Sequence, residues 1–214
     1  MSCWVIIPVK PPEQAKMRLA GALDPKARAA LVGAMLRHVA QVSAAADHVD
    51  RVCLLGPSRH GLPDGLPLLD DPGGGLNPAL QSALAQLSGE ILTRLIVLPA
   101  DLPMLSIIDV QLLASAPSGT VAIAPDRHGT GTNALSLPLP GAGGFTFAFG
   151  ADSFARHQAQ TEQLGLKIET IHSNGLARDI DVPGDLPDAA ALMLSGGPAT
   201  GGGDCGSVAK PAGQ

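Results

Sequence analysis

The residues in this sequence that could do chemistry are acids and cations placed at breaks in the chain. Asp101 sits in Pro99-Ala100-Asp101-Leu102-Pro103, directly after the apolar run Leu95–Leu98, and its flanking prolines fix the local backbone. A carboxylate at the end of a central strand can ligate a hard cation, since magnesium takes one or two carboxylates plus substrate phosphates. The competing reading is a turn residue that bonds its own backbone. Asp179 and Asp181 alternate in Arg178-Asp179-Ile180-Asp181-Val182-Pro183, so an extended chain puts them on one face. Asp181 is a second candidate metal ligand and equally a candidate helix N-cap. Lys10, Lys16 and Arg18 lie in the segment that leaves the first apolar run. Cations there can bind phosphates and steady charge as a phosphoryl bond breaks, and the alternative is a solvated loop. Gly73-Gly74-Gly75 lets backbone approach a planar ligand, with Asn77 beside it to meet a base edge, and a surface turn is the plainer reading.

Other chemistries lack their signatures. There is no Gly-Lys-Ser or Gly-Lys-Thr for a phosphate-binding P-loop, no Gly-x-Ser-x-Gly elbow and no zincin spacing among the six His. Gly129-Thr130-Gly131-Thr132-Asn133-Ala134 fits the dinucleotide pattern. An extended, Pro-containing segment follows it where that pattern needs a helix, which excludes the cofactor reading.

The elements that must position these residues alternate between strand and helix. Trp4–Val9, Arg51–Leu55, Leu66–Leu69, Leu95–Leu98, Thr120–Ala124 and Lys167–Ile171 read as strands, and Ala134–Leu139 as extended. Asp24-Pro25 offers an N-cap and a first-turn proline for a helix to about residue 45. Further helices are expected over 80–88, from the Ser106/Asp109 capping box to about 115, over 152–164, and over 186–194. Phe145–Phe149 alternates large and small and reads as a strand with one aromatic face, and Ala177–Val182 as extended. This order predicts a single α/β domain over residues 1–194, with a mostly parallel sheet and an antiparallel insert around the Phe segment. Residues 195–214 are Gly-rich without periodicity and are expected to be a disordered tail. In such sheets ligands bind outside the carboxyl ends of the strands, which is where the Lys10, Gly73, Asp101 and Asp126 loops emerge.

Composition narrows the partners. The chain of 214 residues carries 14 Lys and Arg against 19 Asp and Glu, a net charge of −5. With no basic run and 2% aromatics it is a poor nucleic-acid binder. Three dispersed Cys, no basic leader and no apolar run of membrane length point to a reduced, cytoplasmic setting without membrane or disulfides.

Six segments in order resemble the 2-phospho-L-lactate guanylyltransferase (CofC) family, whose members also take phosphoenolpyruvate or 3-phospho-D-glycerate. They are Val5-Ile6-Ile7-Pro8-Val9-Lys10 with Ala15-Lys16-Met17-Arg18-Leu19, Gly75-Leu76-Asn77-Pro78-Ala79-Leu80, Pro99-Ala100-Asp101-Leu102-Pro103, Gly129-Thr130-Gly131-Thr132-Asn133, Phe149-Gly150-Ala151-Asp152-Ser153 and Asp179-Ile180-Asp181-Val182-Pro183. The chain departs at Met17, where a small hydroxyl residue is common. The resemblance implies a Rossmann-like nucleotidyltransferase domain that transfers GMP from GTP to a phosphorylated three-carbon acid, releasing pyrophosphate, in deazaflavin coenzyme biosynthesis. It implies Mg2+ on Asp101 and Asp181, with Asp101, Lys16 and Arg18 catalytic and Lys10, Lys16 and Arg18 on the triphosphate. The Gly73, Gly74, Gly75 and Asn77 loop would face guanine, and Thr132, Gly150 and Ser153 would hold the acceptor's acid and phosphate groups. Ser153 is also a candidate N-cap for its helix. Dimers are common for this kind of domain, which makes a homodimer one candidate assembly, and the sequence leaves the oligomeric state open. The rival readings are a nucleotidyltransferase for a molybdopterin or sugar phosphate, a glycosyltransferase, and a nucleotide-binding regulator without turnover.

Overall fold

The computed structural model describes residues 2–11, 14–190 and 192. The expected tail over 195–214 lies outside them, as does most of the end of the helix expected over 186–194. Seven strands form one sheet in the order β3-β2-β1-β4-β6-β5-β7. They are β1 (Cys3–Pro8), β2 (Arg51–Leu55), β3 (Leu68–Leu69), β4 (Arg94–Val97), β5 (Thr120–Pro125), β6 (Thr132–Pro138) and β7 (Lys167–Thr170). The β1–β2, β1–β4, β2–β3 and β5–β7 pairs are parallel, while β6 runs antiparallel to both β4 and β5. Helices α1 (Pro25–Ala45), α2 (Leu76–Gln86), α3 (Ile107–Ala114), α4 (Ser153–Gln163) and the single turn α5 (Asn174–Ala177) complete the domain. Side chains of β1 alternate between two buried clusters, with Val5 and Ile7 in one and Trp4 and Ile6 in the other. A strand buried on both faces reads as a continuous apolar run, which is why β1 has no polar alternation.

The caps act where the sequence places them. Asp24 accepts from the Ala27 N–H at 2.8 Å with Pro25 opening α1. Ser106 and Asp109 close a reciprocal capping box at the start of α3. Cys3 and Cys53 are buried and free, and burial pushes their thiols up to about 12 and about 11, so neither supplies a nucleophile.

Three expectations need correction. First, the expected antiparallel insert is present as β6, in mid-sheet, but it does not include the Phe segment. The segment Phe145–Phe149 is not a strand. It keeps the alternation, with Phe145 and Phe147 buried and Thr146 exposed, but its backbone pairs with side chains. Asn77 donates to the Phe149 carbonyl at 3.0 Å and accepts from the Phe149 N–H at 2.8 Å. Gln81 donates to the Phe145 carbonyl, and the Ala148 N–H donates to His157. Second, α2 begins at Leu76, so Asn77 belongs to its first turn and its amide clasps Phe149 where a base edge was expected. Asn77→Ala should cost about 2 kcal/mol in urea unfolding, because it strands two backbone groups. A loss under 0.5 kcal/mol, by the same scale, would mean water satisfies them. Third, the expected last helix opens early and as a 3-10 helix (Pro183–Ala189), and α5 occupies Asn174–Ala177 ahead of the irregular 178–182 segment. Pro183 opens this helix at a position that needs no donor, while Pro187, inside it, withholds the amide that an α-helix starting there would bond back to residue 183.

Candidate active site

Four segments meet at the edge of the sheet where the parallel strands end. The chain leaves β1 past Gly56, whose φ is +154° and where a side chain would strike the Val9 carbonyl oxygen. This close approach holds the exit toward Lys10, which is exposed. The segment returns as a 3-10 turn (Met17–Leu19) after Lys16, whose backbone is left-handed at φ 52°. Buried Leu19 packs with Leu31, Met35 and Ile180, so the cation loop is anchored to both α1 and the 178–182 segment. The Ile180 N–H donates to the Asp101 carbonyl at 3.2 Å and brings the second acidic cluster over the first.

Asp101, Asp179 and Asp181 each present a carboxylate oxygen within 4.8 Å of the others. The Lys16 ammonium donates to Asp101 and, at 3.0 Å, to Asp181. Arg18 lies 3.8 Å from the other oxygen of Asp181. Burial pushes the Lys16 pKa down, but the Asp101 and Asp181 charges outweigh it and the net direction is up. Burial raises Asp179, and the Asp101 charge adds to the rise. An ammonium shared by two of three converging carboxylates leaves the group net negative. Asp101 Oδ1 is buried with no hydrogen-bond partner. Converging hard oxygen donors and an orphaned buried carboxylate oxygen fit a divalent cation of the magnesium or manganese kind. The sequence pointed to Asp101 and Asp181 as metal ligands. The alternation left open whether Asp179 joins them, and the structure brings its carboxylate to the same point.

The capping alternative for Asp181 is overturned, because Asp185 does that work. Its carboxylate accepts from the Asp181 and Val182 N–H groups at 2.8 and 2.9 Å and meets Arg127 at 2.7 Å. Burial works to raise the Asp185 pKa, but the Arg127 hydrogen bond and the two amides hold it down at about 2. The Asp181 carboxylate is thereby left to Lys16 and Arg18. Asp101 likewise does not bond its own turn; one oxygen faces Lys16 and the other has no partner.

A second polar cluster adjoins the carboxylates. The N–H of Thr132, at the start of β6, donates to Ser153 Oγ at 2.8 Å. Asp152 occupies the N-cap position of α4 without a side-chain cap bond, so Ser153 is not the cap. Ser153 is 1% exposed and Thr132 7%. The neighbouring Asn133 donates to the Leu176 carbonyl at 2.9 Å and to Asp179 at 3.3 Å. Two consecutive residues thus join the hydroxyl pocket to the carboxylates. Gly150, at φ +122°, makes the turn that presents Ser153, whose N–H bonds the Gly150 carbonyl. Gly73, Gly74 and Gly75 have consecutive φ values of 84°, 85° and 98°, which side-chain-bearing residues resist. They follow β3 at the same edge, and no hydrogen bond among the described residues joins them or Lys10 to the carboxylate cluster.

His157 was not anticipated. It is fully buried between the rings of Phe145 and Phe149, with Nδ1 2.9 Å from Thr132 Oγ1. Burial lowers its pKa to about 4. The unfolded chain, with an ordinary histidine near 6.5, binds a proton that the folded chain refuses. Its contribution to stability is therefore full above about pH 6.5 and falls as the pH drops toward about 4, by on the order of 3 kcal/mol in total. Asp185 adds a second loss from about pH 3.8 to about 2. Urea midpoints between pH 7 and 4 should show the first slope, and His157→Asn should flatten it; an unchanged slope would assign it elsewhere.

The family model described as "Guanylyl transferase CofC like" matches residues 3–200 of this chain. A phosphoenolpyruvate guanylyltransferase of Sphaerobacter thermophilus is 40% identical over 195 residues, covering 89% of this chain and 93% of its own. One from Conexibacter woesei is 38% identical over 203 residues, with coverage of 91% and 90%. Among solved structures, a chain described as a nucleotide-diphospho-sugar transferase from Desulfovibrio desulfuricans superposes with a TM-score of 0.70 at 18% identity, covering 91% of this chain and 94% of that one. That likeness speaks for the fold. No helix among the described residues is long and apolar enough to cross a membrane.

Proposed function

The chain belongs to the CofC-like guanylyl transferases, and from that premise we propose that it transfers GMP from GTP to a phosphorylated three-carbon acid, with phosphoenolpyruvate and 3-phospho-D-glycerate as the leading acceptors. The product would be a guanylylated acid on the route to the deazaflavin coenzyme, with pyrophosphate released. The observation that carries this reading is the junction at Thr132 and Asn133. Thr132 and Ser153 form a buried pair of hydroxyls, and Asn133, next in the chain, touches a carboxylate of the candidate metal group.

In this reading Asp101, Asp179 and Asp181 hold a magnesium ion, which supplies charge neutralisation to the nucleotide's phosphate oxygens when bound. Lys16 and Arg18 meet the triphosphate and balance charge on the pyrophosphate as it leaves. Lys10 meets the triphosphate, and the Gly73–Gly75 backbone faces the base. Thr132 and Ser153 donate to the acceptor, and the Gly150 turn leaves room for it. A phosphate oxygen of the acceptor attacks the α-phosphorus of GTP, a new P–O–P bridge forms, and the bond to the β-phosphate breaks. That oxygen is ionised at neutral pH, so no general base is required. This fits a site whose histidine is buried, neutral and engaged. The rate comes from holding the reactants in line and from neutralising charge.

The test is direct. The purified chain is incubated with GTP, Mg2+ and each acid in turn, and pyrophosphate is measured. Release with phosphoenolpyruvate or 3-phospho-D-glycerate is the expected result. Release only with a sugar phosphate or a molybdopterin would transfer the chemistry to another acceptor class, and no release with any acid would sink the proposal.

A further inference from the structure

His157 is buried, polar and in contact with the acceptor pocket, yet the reaction as written gives it nothing to do. Its two ring nitrogens have different partners. The Ala148 N–H points at Nε2 at 3.0 Å. A donor facing Nε2 requires a lone pair there, so the proton of the neutral ring sits on Nδ1. Nδ1–H must then donate to Thr132 Oγ1, 2.9 Å away. A hydroxyl that accepts in this direction keeps its own hydrogen to give. Ser153 is in the same state, because its Oγ accepts from the Thr132 N–H. Among the described residues neither hydroxyl hydrogen has an acceptor. The ring cannot turn to swap its partners, because Phe145 and Phe149 flank it at centroid distances of 5.6 and 4.8 Å. The Thr161 hydroxyl bonds the His157 carbonyl at 2.8 Å and fixes the same stretch of α4.

We propose that His157 is a positioning residue for the acceptor: by donating from Nδ1 it makes the Thr132 hydroxyl a committed donor, aimed at the anionic group of the bound acid. This rests on the reading that Thr132 and Ser153 hold the acceptor. The same ring, through Ala148, ties the Phe145–Phe149 segment to that hydroxyl, so the turn leading to Gly150 and the pocket keep one geometry. The lowered pKa agrees, since a protonated ring would set Nε2–H against the Ala148 N–H. An anion site built this way prefers a fully ionised phosphate or carboxylate, which only accepts, to a neutral hydroxyl, which accepts more weakly and brings a hydrogen that the committed donors cannot take.

Two amide variants separate the contacts, because Asn places its amide near the Nδ1 position and Gln near the Nε2 position. His157→Gln should raise KM for the acceptor acid about tenfold, with KM for GTP changed less than about twofold, the scale of one lost hydrogen bond to an anion. His157→Asn, which keeps a donor at the Nδ1 position and loses the Ala148 contact, should raise the acceptor KM less than His157→Gln does. The acid used is phosphoenolpyruvate, or 3-phospho-D-glycerate if that is the one that turns over. An unchanged acceptor KM in a folded His157→Gln protein overturns the proposal. A parallel rise in both KM values does so as well, because that is the mark of general loosening. Nitrogen NMR of the parent chain gives an answer that needs neither a folded variant nor turnover. The ring should be neutral with its proton on Nδ1 from pH 5 to 8, and a proton on Nε2 overturns the assignment. Thr132→Val separates the two levels of inference. If it leaves the acceptor KM unchanged, the acceptor pocket itself is misplaced. If it raises that KM while His157→Gln does not, only the role of His157 fails.

Discussion

Asp101→Asn should lose turnover on the order of 10³-fold while unfolding at the same urea midpoint as the parent chain. The substitution keeps the shape of the side chain and removes its charge. In the parent, one Asp101 oxygen faces the Lys16 ammonium and the other is buried without a partner. An amide in that place offers a single oxygen, and its NH2 must turn either toward Lys16, donor against donor, or into the cluster where a cation belongs. Folding should be insensitive because two terms offset. Lys16 keeps its bond to Asp181, and removing one of three crowded carboxylates relieves their mutual repulsion. The measurements are pyrophosphate release, the urea midpoint, and Mn2+ titration followed by electron paramagnetic resonance. Turnover within tenfold of the parent, or a large fall in midpoint, would show that Asp101 serves the fold and not the reaction.

Most of the scaffold was legible because its cues are local. Asp24-Pro25 and Ser106-x-x-Asp109 name their helices, and the apolar runs of β1, β4 and β5 have no other use for so many β-branched and aliphatic residues. The position of β6 was not legible. Whether an extended segment pairs at an edge or slots between β4 and β5 depends on contacts far away in the chain, and nothing in Thr132–Pro138 encodes it. The Phe segment misled for a different reason. Alternation reports which side chains are buried, not what the backbone bonds to, and here the amides of Asn77 and Gln81 take the part of a neighbouring strand. The carboxylates and the Lys16–Arg18 loop were readable as types and spacing, but their convergence depends on the Ile180-to-Asp101 backbone bond. His157 had one weak signal. Ser153, His157 and Thr161 recur every four residues in a helix that is otherwise polar outside, and all three are buried. A row of small polar groups on the inner face of a helix must find partners there.

Lys16→Met should change two measurements in opposite directions: kcat should fall on the order of 10²-fold, and the nucleotide-free chain should bind Mn2+ more tightly, by on the order of tenfold. Lys16 is 12% exposed along its side chain and its ammonium bridges Asp101 and Asp181. It is charged at neutral pH, because those two carboxylates raise its pKa against the pull of burial. An ammonium and a divalent cation compete for the same oxygens, so deleting the ammonium leaves the three carboxylates to the metal. Met keeps most of the apolar stem and its packing, so the change is close to one of charge alone. When nucleotide is present, Lys16 is proposed to act on the triphosphate, and there its loss removes a charge that the departing pyrophosphate needs. The opposite signs make the experiment diagnostic. If Lys16 only braces the fold, removing it loosens the three aspartates and weakens Mn2+ binding along with turnover. If it is an inert surface cation, neither quantity moves. Tighter metal and slower chemistry together are expected only if one ammonium serves the carboxylates before the nucleotide arrives and the phosphates afterwards. That exchange would also explain the left-handed backbone at Lys16, a conformation that costs a side-chain-bearing residue on the order of 1 kcal/mol and turns the chain so that its ammonium reaches two separate acidic segments.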